Sequence, residues 1–347
     1  MNLQPKKHHI LIIVSLAATF VHTELRAQVL APATPANKFP ALSDEQIRQG
    51  HYGQAAQSAN TYNSLQNSKV ALSNPSDGEK TKFNKAMAGL KTNASEAPLY
   101  AEKVINETPN QAFAERLSFG MAQYYFRQDK YAQAIKHYET AGVNNLDNNE
   151  VSDQKFELAY CYFNNRQFDK AKPLFSAIKE LKDSKYYMAG NYYYGLLCYN
   201  ENKYDEALTS FDRVKEEREY RGIVPYYIAE IYYFKGNRQR ALSLADTLIK
   251  RKEPTFYHKE LHLLAAQCYF DEQKYAEAKP FFEYFYKHTE KIGKDDLYKM
   301  AYCYYRLGEW KNATEKFKLL SDARDSLGQT AMYLLGDCYL KTGKSCF

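Results

Sequence analysis

YAQAIKHY (131–138), FDKAKPLF (168–175), YDEALTSF (204–211), RQRALSLA (238–245), YAEAKPFF (275–282) and WKNATEKF (310–317) are one phrase written six times. Its Ala falls at 134, 171, 207, 241, 278 and 313, in steps of 37, 36, 34, 37 and 35. A second phrase precedes each: FGMAQYYF (119–126), FELAYCYF (156–163), YYYGLLCY (192–199), YYIAEIYY (226–233), LLAAQCYF (263–270) and YKMAYCYY (298–305). YLLGDCYL (333–340) opens a seventh. A small residue followed three positions later by Tyr or Cys lies on one helical face, and large next to small lets two helices approach closely. A period near 35 with two such segments per unit predicts helix pairs that bury their faces only by stacking on their neighbours.

The chain has 347 residues, of which 45% are hydrophobic, with Gly 15 and Pro 11, so neither disorder nor a Pro/Gly low-complexity chain fits. Tyr 32 stands out against Phe 19 and Trp 1. A formal charge of +6 is too weak over this length to imply a nucleic acid.

At the start, Lys6 and Lys7 precede an apolar run from Ile10 to Val21, with small Ala27 before Gln28. That is the layout of a secretory signal over 1–27, and the run is shorter than the ~20 residues of a spanning helix. Residues 28–38, with Pro32 and Pro35, read as a flexible leader. The expectation is an exported chain, periplasmic or envelope-associated, with no transmembrane segment once 1–27 are removed.

The paired phrases resemble the tetratricopeptide repeat family, whose ~34-residue unit is a helix A with a small residue and an aromatic, then a helix B with Ala and an aromatic. With the quoted Ala as position 20 of the repeat, position 8 is Ala122, Ala159, Gly195, Ala229, Ala266, Ala301 and Gly336. Position 11 is Tyr125, Tyr162, Cys198, Tyr232, Tyr269, Tyr304 and Tyr339, and position 24 is Tyr138, Phe175, Phe211, Ala245, Phe282 and Phe317. Pro173 and Pro280 are expected in the first turn of their helices B. Two weaker units precede these over 39–110: one through Phe39, Leu42, Gly50, Tyr52, Ala55 and Ala59, the other through Phe83, Met87, Leu90, Ala97, Ala101 and Pro109. Residues 73–78 between them read as a loop. The resemblance implies an all-α, right-handed superhelical solenoid of antiparallel helix pairs, with six repeats and the first helix of a seventh over 111–347. The leader and phrases such as NYYYG and AYCYYRLGEW are similar to long exported repeat proteins of Bacteroidetes-type bacteria, of which this chain looks like an N-terminal portion.

In this family, positions 2, 5, 9 and 12 of helix A line a concave face. The implied ligand groove takes Phe119, Phe156, Tyr192, Tyr226, Tyr298 and Tyr333 from position 5, and Gln123, Tyr160, Glu230, Gln267 and Tyr302 from position 9. Either these rings grip a peptide, with hydroxyls as polar handles, or they pack between repeats; position 12 is expected to be the more buried row. The Lys and Asn pair by which some family members hold a C-terminal carboxylate is missing: the first repeat has Phe119 and Gln123.

Competing chemistry is weak. Cys161, Cys268, Cys303 and Cys338 share one register position, which puts them ~8–10 Å apart, too far for disulfides. His258 and His262 are one turn apart, but in the order H-K-E-L-H with no third ligand, so no metal site is expected. Thr342-Gly-Lys-Ser345 lacks the upstream glycine of a phosphate loop. The reading is a non-catalytic scaffold with a protein or peptide partner and no cofactor. Glycan binding by exposed rings is the alternative, and a segment of a larger enzyme the third. The seventh helix has no closing partner in the sequence, so Tyr333, Leu334, Tyr339 and Leu340 are expected to be exposed and 330–341 to fray or self-associate.

Overall fold

A computed structural model describes residues 46–47, 49–67, 75–251, 256–321 and 325–343. Residues 1–38, read above as signal and leader, lie outside the described residues, as do Phe39 and Leu42 of the first degenerate unit. Among the described residues there are 16 helices and no strand. They divide into two compact units, Met1–Gly190 and Asn191–Phe347.

The first unit holds α1 (Tyr52–Asn67), α2 (Pro75–Lys91), α3 (Ala97–Glu107), α4 (Gln111–Phe126), α5 (Tyr131–Ala141), α6 (Asn148–Asn164) and α7 (Phe168–Ile178). Helix α8 (Tyr187–Asn200) begins at its end. The second unit continues with α9 (Tyr204–Asp212), α10 (Val224–Phe234), α11 (Arg238–Ile249), α12 (His258–Asp271), α13 (Tyr275–His288), α14 (Lys294–Arg306), α15 (Trp310–Lys318) and α16 (Ser326–Lys341). Helices A of the seven clear repeats are therefore α4, α6, α8, α10, α12, α14 and α16. In the first unit each helix from α1 to α7 packs on the next, as does each from α9 to α16 in the second, and helices A also touch along the row: α2 on α4, α4 on α6, α10 on α12, α12 on α14 and α14 on α16.

The repeat phrase explains the core. All six position-20 alanines, Ala134 through Ala313, are 0% exposed, as are Phe175, Phe211, Phe282 and Phe317 of position 24. A Cβ added at Gly195 would sit 2.6 Å from the Phe211 ring, so the helix pair α8–α9 closes only over a glycine. The A-to-B turn is the same each time. Asp129, Arg166, Asn202, Gly236, Gln273, Gly308 and Gly343 all take positive φ, five positions before position 20. In the six turns from Asp129 to Gly308 the next residue's N–H returns to the carbonyl of position 11, as in Lys130 to Tyr125 (3.0 Å) and Glu309 to Tyr304 (2.9 Å). That is the C-terminal cap that ends a helix through one left-handed residue. The degenerate units use it too, through Gly50 and Asn93.

Three expectations need correction. The loop read at 73–78 is helix from Pro75 onward, because proline's fixed φ suits a first helical turn. Pro173 and Pro280 lie inside α7 and α13, each the sixth residue of its helix and past the first turn, where each removes an N–H that the carbonyl four residues back would use. Ala97, which stands 37 residues before Ala134 and so reads as the position-20 Ala of its unit, follows its left-handed residue Asn93 by four positions rather than five, so this unit is one residue short in its turn.

Candidate functional site

The proposed groove is largely filled by the protein itself. Phe119, Gln123, Phe156, Tyr160, Tyr192 and Tyr226 are all buried, none more than 9% exposed. Glu230, Gln267, Tyr298 and Tyr302 are half-buried, and Tyr333 is 77% exposed. Position 5 is thus not the open row, and position 12 is no more buried: Phe163, Tyr199 and Tyr233 are buried, Phe126, Phe270 and Tyr305 half-buried, Leu340 exposed.

The cause is an aromatic residue at the entry to the next helix A, inside the first turn of α4 for Phe113 and just before α8, α10 and α12 for the others. Phe113 stacks on Phe83 (4.5 Å between centroids), Tyr186 on Phe156 (4.2 Å, 9° between planes) and Tyr257 on Tyr226 (4.5 Å), while Tyr220 lies against Tyr192 (4.8 Å). Each sits in the same place of the register and lids the position-5 ring of the helix before it. Sequence reasoning missed them because they lie outside the two repeated phrases, three of them in connections of varying length. The fixed aromatic character at 113, 186, 220 and 257 was the available signal.

Beneath the lids, one arrangement of rings occurs twice. In the first unit Phe126, Tyr131 and Phe156 surround Tyr160 at 5.7, 5.9 and 6.2 Å. In the second, Phe270, Tyr275 and Tyr298 surround Tyr302 at 5.9, 5.7 and 6.0 Å. The second box continues through Tyr305 (6.0 Å from Tyr302) to Trp310 (5.3 Å from Tyr305), and every one of these six residues keeps some exposure. The place of the lid Tyr186 is taken by Leu327. The rings of α12, α13, α14 and α15 therefore present a continuous accessible aromatic surface.

Polar groups in the row are paired across neighbouring repeats. The Tyr199 hydroxyl donates to Glu230 (2.6 Å) and that of Tyr305 to Asp337 (2.7 Å), which pushes the Tyr305 hydroxyl up to about 12. Gln267 donates to Asp296 (2.6 Å). In the first unit Lys91 donates to Gln123, whose amide in turn reaches Glu157 (3.3 Å), and the Tyr138 hydroxyl also donates to Glu157. Burial there lowers Lys91 and raises Glu157, each toward its neutral form. Position-11 tyrosines do likewise on helix B: Tyr162 donates to Glu139 (2.6 Å) and Tyr304 to Glu283 (2.8 Å). The abundance of tyrosine over phenylalanine follows, since the ring is packed while the hydroxyl ties one repeat to a carboxylate of another.

Cys161, Cys198, Cys268, Cys303 and Cys338 are buried thiols that form no disulfide among the described residues, and burial pushes those of Cys268 and Cys303 up to about 12. His262 stacks on Tyr284 (3.7 Å) with Nδ1 on the His258 carbonyl (2.8 Å). No cluster of metal-ligating side chains occurs among the described residues. None of the helices searched among them is long and apolar enough to cross a membrane. At the last helix Tyr333 and Leu340 are exposed as expected and Tyr339 is half-buried, but Leu334 is buried against the α14–α15 core.

Tetratricopeptide-repeat family models match residues 226–288 and 297–323. No curated protein matches the chain. Among solved structures, the C-terminal part of a tetratricopeptide-repeat-containing protein from Cytophaga hutchinsonii is similar with a TM-score of 0.52, at 18% identity over 72% of this chain and 99% of that one. A tetratricopeptide repeat protein from Parabacteroides merdae gives 0.39 at 16% identity, over 77% of this chain and 98% of that one. YrrB, described as a repeat protein with an unusual peptide-binding site, gives 0.41 at 23% identity, over 54% and 89% respectively. The chain carries tetratricopeptide repeats in an all-helical fold.

Proposed function

We propose that this chain is a non-catalytic scaffold of the bacterial cell envelope that holds a segment of a partner protein against the inner faces of α12, α14 and α16. The observation that carries the reading is the accessible aromatic surface Phe270–Tyr275–Tyr298–Tyr302–Tyr305–Trp310, which continues toward exposed Tyr333. Rings of this kind give large contact area at low entropic cost, with hydroxyls to orient a backbone. The envelope assignment rests on the signal-like layout of residues 1–27.

The test is a photo-crosslinking residue at Tyr302, with one at exposed Lys136 on α5 as control, in the producing cells, followed by mass spectrometry. The expected result is a protein adduct at 302 that is not formed at 136, recovered from the envelope fraction. Binding to a polysaccharide array with no protein adduct at 302 would replace this reading by glycan recognition.

A further inference from the structure

The open aromatic box of the second unit differs from its closed counterpart by one more residue. At the end of α14 stands Arg306, where α6 has Asn164 and α10 has Phe234. Asn164 turns its amide onto the Tyr160 carbonyl (2.8 Å), and Phe234 stacks on Tyr204 (5.7 Å). Arg127, at the same place of the register just past the end of α4, is tied to Asn93 (3.0 Å) and to the Leu90 carbonyl (2.7 Å). Arg306 is different: its guanidinium lies 4.8 Å over the Tyr275 ring and 5.9 Å from that of Tyr302. Its remaining contacts are N–H donations to the two hydroxyls at 3.4 Å, long for hydrogen bonds.

Two cations border the box. Lys299 sits 5.7 Å over the Phe270 ring, and among the described residues neither it nor Arg306 is in an ion pair. Asp337 and Asp296 keep their charge but accept from Tyr305 and Gln267, and Glu309 pairs with Lys279, so none of the three is bonded to Arg306 or Lys299. A guanidinium stacked on rings is pre-oriented and offers a planar fork of donors that a carboxylate accepts in pairs. The adjoining rings of Tyr298 and Phe270 are apolar ground for a neighbouring side chain.

The geometry points to a subsite at Tyr275, Tyr302 and Arg306 that takes the side-chain carboxylate of an Asp or Glu within an extended peptide segment, with an adjacent apolar side chain on Phe270 and Tyr298. This assignment rests on the scaffold reading above and names the partner's chemistry: an acidic residue beside a hydrophobic one, reinforced by Lys299.

The experiment is selection of a phage-displayed random 12-residue peptide library on the purified chain, then fluorescence anisotropy with the peptide most enriched. The expected peptides carry Asp or Glu next to Leu, Ile, Phe or Trp. Arg306→Gln should weaken that peptide about tenfold at unchanged melting temperature. Changing the peptide's acidic residue to its amide should weaken it as much, and the two changes together little further. Arg306 is exposed, so the variant folds; Arg306→Lys should recover only part of the affinity, because the stacked fork is lost. Neutral or basic peptides, or acidic ones indifferent to Arg306→Gln, would overturn this subsite while leaving the scaffold reading standing. Selection of no peptide at all would sink both.

Discussion

The box around Tyr160 and the box around Tyr302 use the same ring positions of the repeat and nearly the same ring separations, and their flanking rings are half-buried in both, yet Phe156 and Tyr160 are buried where Tyr298 and Tyr302 stay half-exposed. One residue accounts for most of the difference. Tyr186 lies flat on Phe156 and covers that side of the first box, whereas Leu327 stands at that place beside the second. Repeat register therefore decides which side chains share a face, and the entry to the next helix A decides whether that face is core or platform.

The largest effects should ignore this distinction. Phe175→Ala in α7 and Phe317→Ala in α15 remove fully buried rings of the same repeat position, and each should cost about 3–5 kcal/mol in denaturant unfolding. A cost at one that is a small fraction of the other would show that the two arrays are not built on one core. The boxes should then part company. Tyr160→Ala empties a buried site and should cost about 3 kcal/mol, while Tyr302→Ala, half-exposed, should cost about 1 kcal/mol and act mainly on partner binding. Equal costs would erase the contrast.

Exchanging the lid sharpens it. Tyr186→Ala should destabilise by about 1 kcal/mol beyond lost area and expose Phe156, whereas Leu327→Tyr should cover Tyr298 and lower its reactivity to surface labels. If Leu327→Tyr leaves Tyr298 equally reactive, lidding is not the cause. The smallest effect is with acid. Burial against Tyr284 holds His262 below the ordinary histidine range, and His137, stacked on Tyr125, is lowered the same way. The unfolded chain then takes up protons first, near pH ~6.5, so stability is full above that pH and falls as pH drops below it. His262→Phe should flatten that fall in the second unit, and an unchanged pH profile would remove His262 from it.

Much of this architecture was legible because the packing rules are local. Ala at position 20, Ala or Gly at position 8 and an aromatic at position 24 state which faces meet, and the structure buries them accordingly. The site was only half legible. Phe119, Phe156, Tyr192 and Tyr226 carry the pattern of groove residues, but their exposure depends on the lids. Tyr192 and Tyr220 are 28 residues apart, Tyr226 and Tyr257 are 31, so no constant spacing announces the pairs. Arg306 gave no signal either, since a lone charge at the end of a helix reads as solvated until Tyr275 is placed beneath it.

Hydroxyl-radical footprinting of the folded chain, read tyrosine by tyrosine by mass spectrometry, tests the central contrast most directly. Tyr298, Tyr302, Tyr305 and Tyr333 should be oxidised readily, with Tyr160, Tyr192 and Tyr226 protected by a large factor. Oxidation of Tyr160 at the rate of Tyr302 would contradict the division into a covered and an open aromatic box.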